Sequence, residues 1–182
     1  MSNINFTQSE TDFISKLPIH ITGAEGKGLN EYTPNALMGL AGACITAKKY
    51  DLARKLLTLS ETKSDNHFDL HFTFNQWIEL TYKQRADENM LNLCIDYCEK
   101  DIDMYNDFAK AHHARFPTHD GKLDIRIPAF ERLAIIYEKQ GKLDEAIKVC
   151  ELAMSKNLAD YHIVGFEKRR DKLLAKKQKQ SK

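Results

Sequence analysis

The sequence predicts an all-α fold built from paired antiparallel helices, and three observations near its end indicate this most clearly. Apolar residues recur at helical spacing in one segment, a glycine follows, and a second apolar stripe begins after it. The first stripe consists of Phe130, Leu133, Ala134 and Tyr137. The second consists of Ala146, Val149, Cys150 and Ala153. Gly141 supplies the backbone freedom that a helix C-terminus needs, so residues 130–158 are predicted to form a helical hairpin.

The residue types in this hairpin follow the pattern of a known family. The pattern has a large apolar residue, Leu, a small residue, an aromatic, Gly, an apolar residue, Ala, an apolar residue and Ala. The matching positions are Phe130, Leu133, Ala134, Tyr137, Gly141, Leu143, Ala146, Cys150 and Ala153. On these residues the segment resembles a tetratricopeptide repeat (TPR). The resemblance implies a right-handed α-solenoid that recognises another protein.

Two further copies of the repeat are predicted upstream. The first spans Pro34 to about Asp65, and Lys48 takes the place of the turn glycine. Its matching residues are Leu37, Leu40, Ala41, Cys44, Tyr50, Ala53 and Leu57. The middle copy is degenerate and needs one extra residue near Asp87. Its stripes contain Phe74, Trp77, Ile78 and Tyr82, then Leu91, Ile95 and Cys98.

The remaining elements are predicted from the same spacing. A short helix begins near Ser9 and ends before Pro18. The second helix of the middle repeat is predicted to continue from about Glu88 to about His112, followed by a loop over residues 114–126. A narrow stripe of Ile163, Phe166, Leu173 and Leu174 predicts a C-terminal capping helix. The domain prediction is therefore an N-terminal segment with a short helix and loop, residues 1–33, and a TPR-like domain with capping helix and basic tail, residues 34–182.

The composition is that of an ordinary soluble domain. The chain has 182 residues, of which 42% are hydrophobic and 29% charged. No apolar run approaches the roughly 20 residues that span a bilayer, and the first residues lack the pattern of a signal peptide, so a cytoplasmic protein is expected. The four cysteines are expected to be reduced and to lie in the core.

The resemblance also implies where a ligand binds, because in this family the non-core face of each first helix lines a concave groove. The corresponding residues in the first repeat are Asn35, Met38, Gly42, Ile45 and Thr46, those in the middle repeat are Phe72, Asn75, Glu79, Tyr82 and Lys83, and those in the last are Glu131, Ile135, Glu138 and Lys139. Their mixture of apolar, aromatic and amide groups suits a peptide. The predicted function is non-catalytic protein or peptide binding, as an adaptor or scaffold, without a cofactor; the N-terminal segment or the 114–126 loop is an alternative occupant of the groove.

Two alternative functions stay open. His67 and His71 are four residues apart, a spacing that allows one metal ion to bind both imidazoles, with Cys94 or Cys98 as a further ligand in a metal-dependent enzyme or sensor. A second loose histidine cluster contains His112, His113 and His119. Residues 167–182 carry a net charge of +6 whereas the whole chain carries +1, which is compatible with nucleic-acid binding. A solvated cap is the preferred interpretation of this tail, because no aromatic residue follows Phe166.

Overall fold

The computed structural model describes residues 3–18, 26–117, 123, 125–158 and 165–180, and their regular secondary structure is entirely helical. A short 3-10 helix, Leu29–Glu31, precedes the second of the α-helices. The α-helices are α1 Gln8–Ser15, α2 Pro34–Thr46, α3 Tyr50–Lys63, α4 His67–Lys83, α5 Glu88–Asp103, α6 Tyr105–Arg115, α7 Pro128–Lys139, α8 Leu143–Ser155 and α9 Gly165–Gln180. The all-α prediction is confirmed for the part of the chain described.

The chain forms two compact units, residues 1–91 and residues 92–182. The division falls inside α5, whereas the sequence pattern predicts a boundary after residue 33. The N-terminal segment thus belongs to the same unit as α2, α3 and α4. The two helices of the predicted middle hairpin, α4 and α5, are both present, but α5 lies mostly in the second unit.

In the first unit, α2, α3 and α4 pack against one another. The start of α2 is fixed by Thr33, whose hydroxyl oxygen accepts the backbone N–H of Ala36 at 3.3 Å, and by Pro34 in the first helical turn. The core between the three helices is mainly apolar. Its largest fully buried apolar side chains are Leu37, Leu40, Leu56, Leu57, Ile78 and Leu80.

In the second unit, α8 packs against both α7 and α9. The small residues Ala134, Ala146 and Ala153 are completely buried, which permits close approach of the helices. The rings of Tyr105 and Phe130 meet edge to face with their centroids 5.9 Å apart, so α6 also contacts α7. Leu173 of α9 is 1% exposed and anchors that helix to the core.

The hairpins α2–α3 and α7–α8 turn in the same way. Lys48 has φ 58° and Gly141 has φ 76°, both in the left-handed region. After each of them, the next N–H donates back to the helix, from Lys49 to the Cys44 carbonyl at 2.8 Å and from Lys142 to the Tyr137 carbonyl at 2.9 Å. This pattern is a Schellman motif, which ends a helix with a residue of positive φ. Lys48 therefore occupies the glycine position of the turn, as its place in the repeat predicts.

The buried positions of the two hairpins also correspond. The offset from the first hairpin to the last is the same at every matched position, and at most of them both residues are buried. The matched buried pairs are Leu37 with Phe130, Leu40 with Leu133, Ala41 with Ala134, Ala53 with Ala146, and Leu57 with Cys150. Ser60 stands where the last hairpin has Ala153; its hydroxyl donates to the Pro34 carbonyl at 3.0 Å and lies 2.8 Å from the Thr73 hydroxyl. The extra hydroxyl thus ties α3 to α2 and α4.

The predicted single helix from Glu88 to His112 is wrong, because the chain bends at Met104 between α5 and α6. Met104 has φ −84° and ψ 1°, and its carbonyl accepts both the Asp107 N–H at 3.1 Å, a 3-10 spacing, and the Phe108 N–H at 3.0 Å. Tyr105 and Phe108 directly after the bend are both buried. Burial of these two rings explains why the stripe continues although the helix does not.

The N-terminal segment is bonded to the first unit. Ile4 and Asn30 exchange two hydrogen bonds, from the Ile4 N–H to the side-chain oxygen at 3.1 Å and from the side-chain nitrogen to the Ile4 carbonyl at 3.0 Å. The Lys55 ammonium lies 2.9 Å from both carboxylate oxygens of Glu10. Burial raises the pKa of Glu10, but Lys55 and Thr7 hold that pKa below its ordinary value overall. The Glu10–Lys55 pair thus joins α1 to α3.

Gly141→Ala is predicted to destabilise the protein by about 1–2 kcal/mol, because an L-residue is strained at positive φ. Gly39→Ala is the matched control, since a methyl group added at either glycine would meet no atom within 4 Å and Gly39 is helical. The control should stabilise by about 0.5–1 kcal/mol. Urea unfolding measures both, and an unchanged or increased free energy of unfolding in Gly141→Ala would contradict the assigned turn.

Lys48→Gly is predicted to change stability in the opposite direction. Glycine relieves the left-handed strain at this position, and the greater entropy of the unfolded chain offsets part of the gain. We expect a net stabilisation of up to about 1 kcal/mol by the same urea measurement. A loss of stability would show that Lys48 contributes a side-chain contact that outweighs its backbone strain.

The Glu10–Lys55 pair should make docking of α1 depend on pH. Since the folded-state pKa of Glu10 is lowered, the pair contributes fully above the unfolded-state pKa and is lost as pH falls through the folded-state value. A double-mutant cycle of Glu10→Gln and Lys55→Met should give a coupling of about 0.5–1 kcal/mol near neutral pH. The coupling should fall towards zero as the pH falls below the lowered folded-state pKa of Glu10. A coupling that does not change with pH would contradict the ion pair.

Candidate functional site

The candidate site is the outward surface of two neighbouring helices in the first unit, which we name the α2–α4 face. The two helices pack side by side, so their outward residues form one surface. It comprises Asn35, Met38, Gly39, Gly42 and Thr46 of α2 and Phe72, Asn75, Glu79, Tyr82 and Lys83 of α4. All of these residues are exposed or half-buried. The predicted groove residues of the first two repeats thus lie outside the core on two helices that pack together, apart from Ile45, which is 3% exposed and belongs to the core.

Two residues on the α2 side of this face, Gly39 and Gly42, have no side chain. A methyl group at Gly42 would lie 3.1 Å from the side-chain oxygen of Gln76, so the missing side chain makes room for the Gln76 side chain of α4. At Gly39, one helical turn away, nothing lies within 4 Å of the corresponding position. Backbone rather than side chain is thus exposed along this part of α2, beside the half-buried Met38.

Aromatic rings line the α4 side. Phe68 and Phe72 meet edge to face at 5.0 Å, and Phe72 also contacts the His71 ring at 5.1 Å. Near the other end of the helix, the Arg85 guanidinium lies 4.5 Å from the centre of the Tyr82 ring. Half-buried rings held in this way offer apolar contact area at a low entropic cost, which is characteristic of recognition surfaces.

Asn75 is held in position at the middle of the face. Its side-chain nitrogen lies 3.0 Å from the Nε2 atom of His71, one turn earlier, and His71 is 1% exposed. If Nε2 accepts, the bond uses one of the two hydrogens on the amide nitrogen. The second hydrogen can then be donated to a carbonyl oxygen of a ligand.

The charges on the face neutralise each other. The Lys83 ammonium lies 3.1 Å from a carboxylate oxygen of Glu79, and both side chains are 43% exposed. An exposed pair of this kind contributes little to stability. It leaves the face without an excess of either charge, which favours a ligand that is bound through apolar and backbone contacts.

The groove residues predicted from the last repeat lie in the second unit, on α7. Ile135 and Glu138 are half-buried and Lys139 is exposed. Glu131 differs, because it is only 6% exposed and its carboxylate accepts a hydrogen bond from Arg126 at 2.8 Å. Glu131 therefore offers little surface to a ligand and instead fixes the chain before α7.

The histidines do not form a metal-binding group among the residues that the structure describes. His67 is exposed at the start of α4, whereas His71 is buried and bonded to Asn75. The rings of His112 and His113 lie 6.3 Å apart on α6. His119, the third histidine of that cluster, lies outside the described residues.

All four cysteines are buried and free, as their positions in the apolar stripes predict. Burial raises the pKa of Cys44 to about 11. Burial and the neighbouring Cys94 thiol together raise the pKa of Cys98 well above its usual range. Thiols with raised pKa values are poor nucleophiles at neutral pH, so these cysteines act as small core residues.

Sequence reasoning missed three features of the face. The His71–Asn75 bond joins a buried imidazole to a half-buried amide, and their spacing of four residues is the available signal. Phe68, one turn before Phe72, extends the aromatic side. Gly39 is one turn from both Asn35 and Gly42, and the i, i+3 and i+4 spacing was the available signal.

No helix within the described residues is long and apolar enough to cross a membrane. No protein-family model, no curated protein and no solved structure matches the chain.

Proposed function

We propose that this protein is a TPR-like adaptor or scaffold that binds a peptide segment of another protein on the α2–α4 face. The observation that carries the proposal is the combination on one surface of exposed α2 backbone, the half-buried Phe72 and Tyr82 rings, and an anchored amide at Asn75. The proposed role is non-catalytic and requires no cofactor. The four free, buried cysteines agree with a reducing compartment such as the cytoplasm.

The repeat-like hairpins support this proposal. The α2–α3 and α7–α8 hairpins share the left-handed turn residue, the Schellman hydrogen bond and the matched buried positions. We propose that they are first and last repeats of a right-handed solenoid, with α4 and α5 as the middle repeat and α9 as its cap. In such a solenoid, first helices lie along the concave side, which makes α2 and α4 the ligand-facing pair.

The chemistry of the face indicates the kind of segment that fits. The exposed backbone at Gly39 leaves room for a bulky apolar side chain, and the Phe72 and Tyr82 rings supply contact area for it. Asn75 can donate to a main-chain carbonyl. The self-neutralised Glu79–Lys83 pair offers no preference for a strongly charged ligand. We therefore propose a segment with one or two large apolar anchors and little net charge.

Selection from a displayed random peptide library tests the proposal without a known partner. Enriched peptides should share apolar anchors, and Asn75→Ala and Tyr82→Ala should each weaken their binding about tenfold, or ~1.4 kcal/mol. Gly39→Phe should abolish binding, because its ring would occupy the open strip along α2. Fluorescence polarisation with the selected peptides measures all three variants.

Matched substitutions elsewhere serve as controls. Thr58→Phe places the same ring on an exposed position of α3, and Asn89→Ala removes an exposed amide from α5. Both should bind the peptides as the wild type does. The proposal fails if the library yields no binder, or if the face variants, with unchanged circular dichroism, bind as tightly as these controls.

A further inference from the structure

The basic C-terminal helix α9 has an inner side fixed to the second unit. Phe166 and Leu173 are buried, and the Lys176 ammonium lies 3.3 Å from a carboxylate oxygen of Glu138 on α7. Lys177 pairs with Asp144 of α8. Part of the positive charge that the sequence shows is thus neutralised within the protein, and these contacts hold α9 in a defined orientation.

The outer side of α9 carries lysines that are exposed. Lys168, Lys172 and Lys179 follow one another at i, i+4 and i+11, which places them along one side of the helix, and we name them the basic stripe. The stripe is about 16 Å long at a rise of ~1.5 Å per residue. It contains no acidic residue.

The two acidic residues of α9 are engaged by a different side chain. The Arg170 guanidinium lies 2.7 Å from a carboxylate oxygen of Asp171 and 4.0 Å from one of Glu167. These contacts raise the pKa of Arg170, chiefly through the hydrogen bond to Asp171. Both acids thus pair with Arg170, and the exposed lysines of the basic stripe present their positive charge to solvent.

We propose that the basic stripe binds the phosphate backbone of a nucleic-acid duplex without reading its base sequence. Lysine is a flexible point charge that suits phosphate, and it is depleted at the centre of protein–protein interfaces. The stripe has the length of roughly five base pairs at ~3.4 Å per pair. Its spacing therefore allows several phosphates to be contacted together, and the proposal is independent of peptide binding on the α2–α4 face.

The other residues of α9 favour a duplex over a single strand. Single-strand binding relies on aromatic side chains that stack on bases, and α9 has no aromatic residue after Phe166, which is itself buried. In a duplex the bases are already stacked on each other, so backbone contacts alone suffice for non-specific binding. The absence of aromatic residues after Phe166 thus argues against single-strand binding and not against duplex binding.

Fluorescence anisotropy with a labelled duplex of roughly 20 base pairs tests the proposal. Binding by the full chain should weaken steeply between about 50 and about 200 mM KCl, with a logarithmic slope near −3 for three phosphate contacts. Lys168→Gln/Lys172→Gln/Lys179→Gln should lower the affinity at least tenfold at the lower salt and flatten the slope by about 3. The corresponding glutamate substitutions should lower it further.

The control removes the same charge from other exposed positions, Lys16→Gln/Lys27→Gln/Lys148→Gln. This variant and the Asn75→Ala variant should retain most of the duplex binding. The proposal is overturned if the control loses as much affinity as the stripe variant, or if wild-type binding is insensitive to salt. It is also overturned if polyglutamate or a single strand is bound as tightly as the duplex. Unchanged circular dichroism spectra establish that the glutamine variants are folded.

Discussion

The left-handed residue between paired helices is the constraint on which the rest of the structure depends. At Lys48 and Gly141 the chain must reverse within a few residues, and the Schellman bond fixes how the second helix leaves the first. Asn157 repeats the conformation at the end of α8, with φ 54° and a bond from the Leu158 N–H to the Ala153 carbonyl at 3.1 Å. The helix ends at Lys48, Gly141 and Asn157 thus share one backbone conformation. Two of them accept the strain of a non-glycine residue.

The close packing of the paired helices determines which of their residues lie on the surface. Because Ala41, Ala53, Ala134 and Ala146 are completely buried, the helices of each hairpin approach closely and their remaining faces turn outward. On α2 that outward face contains glycines, and on α4 it contains aromatic rings and an amide. The core residues and the residues of the α2–α4 face therefore lie on opposite sides of the same helices. Substitutions of exposed residues on the α2–α4 face should therefore have little effect on the core.

Much of this organisation follows from sequence patterns, because helical spacing and the offset between hairpins are local properties. The helices, the turn at Lys48 and the burial of the cysteines can be predicted on that basis. The bend at Met104 cannot, since it depends on where Tyr105 and Phe108 find space in the second unit. Burial of Glu131 is equally hidden, because its ion pair with Arg126 is a tertiary contact. The pairs that α9 forms with α7 and α8 likewise require the positions of those helices.

Amide hydrogen exchange at Lys49 and Lys142 tests most directly whether the first and last hairpins are copies of one unit. Both N–H groups donate the Schellman hydrogen bond, at 2.8 and 2.9 Å, although one follows a lysine and the other a glycine. Equivalent hairpins should protect both amides to a similar degree, well beyond the protection of the exposed turn residues beside them. Exchange of the Lys49 amide at the rate of an unstructured chain, with Lys142 protected, would contradict the equivalence.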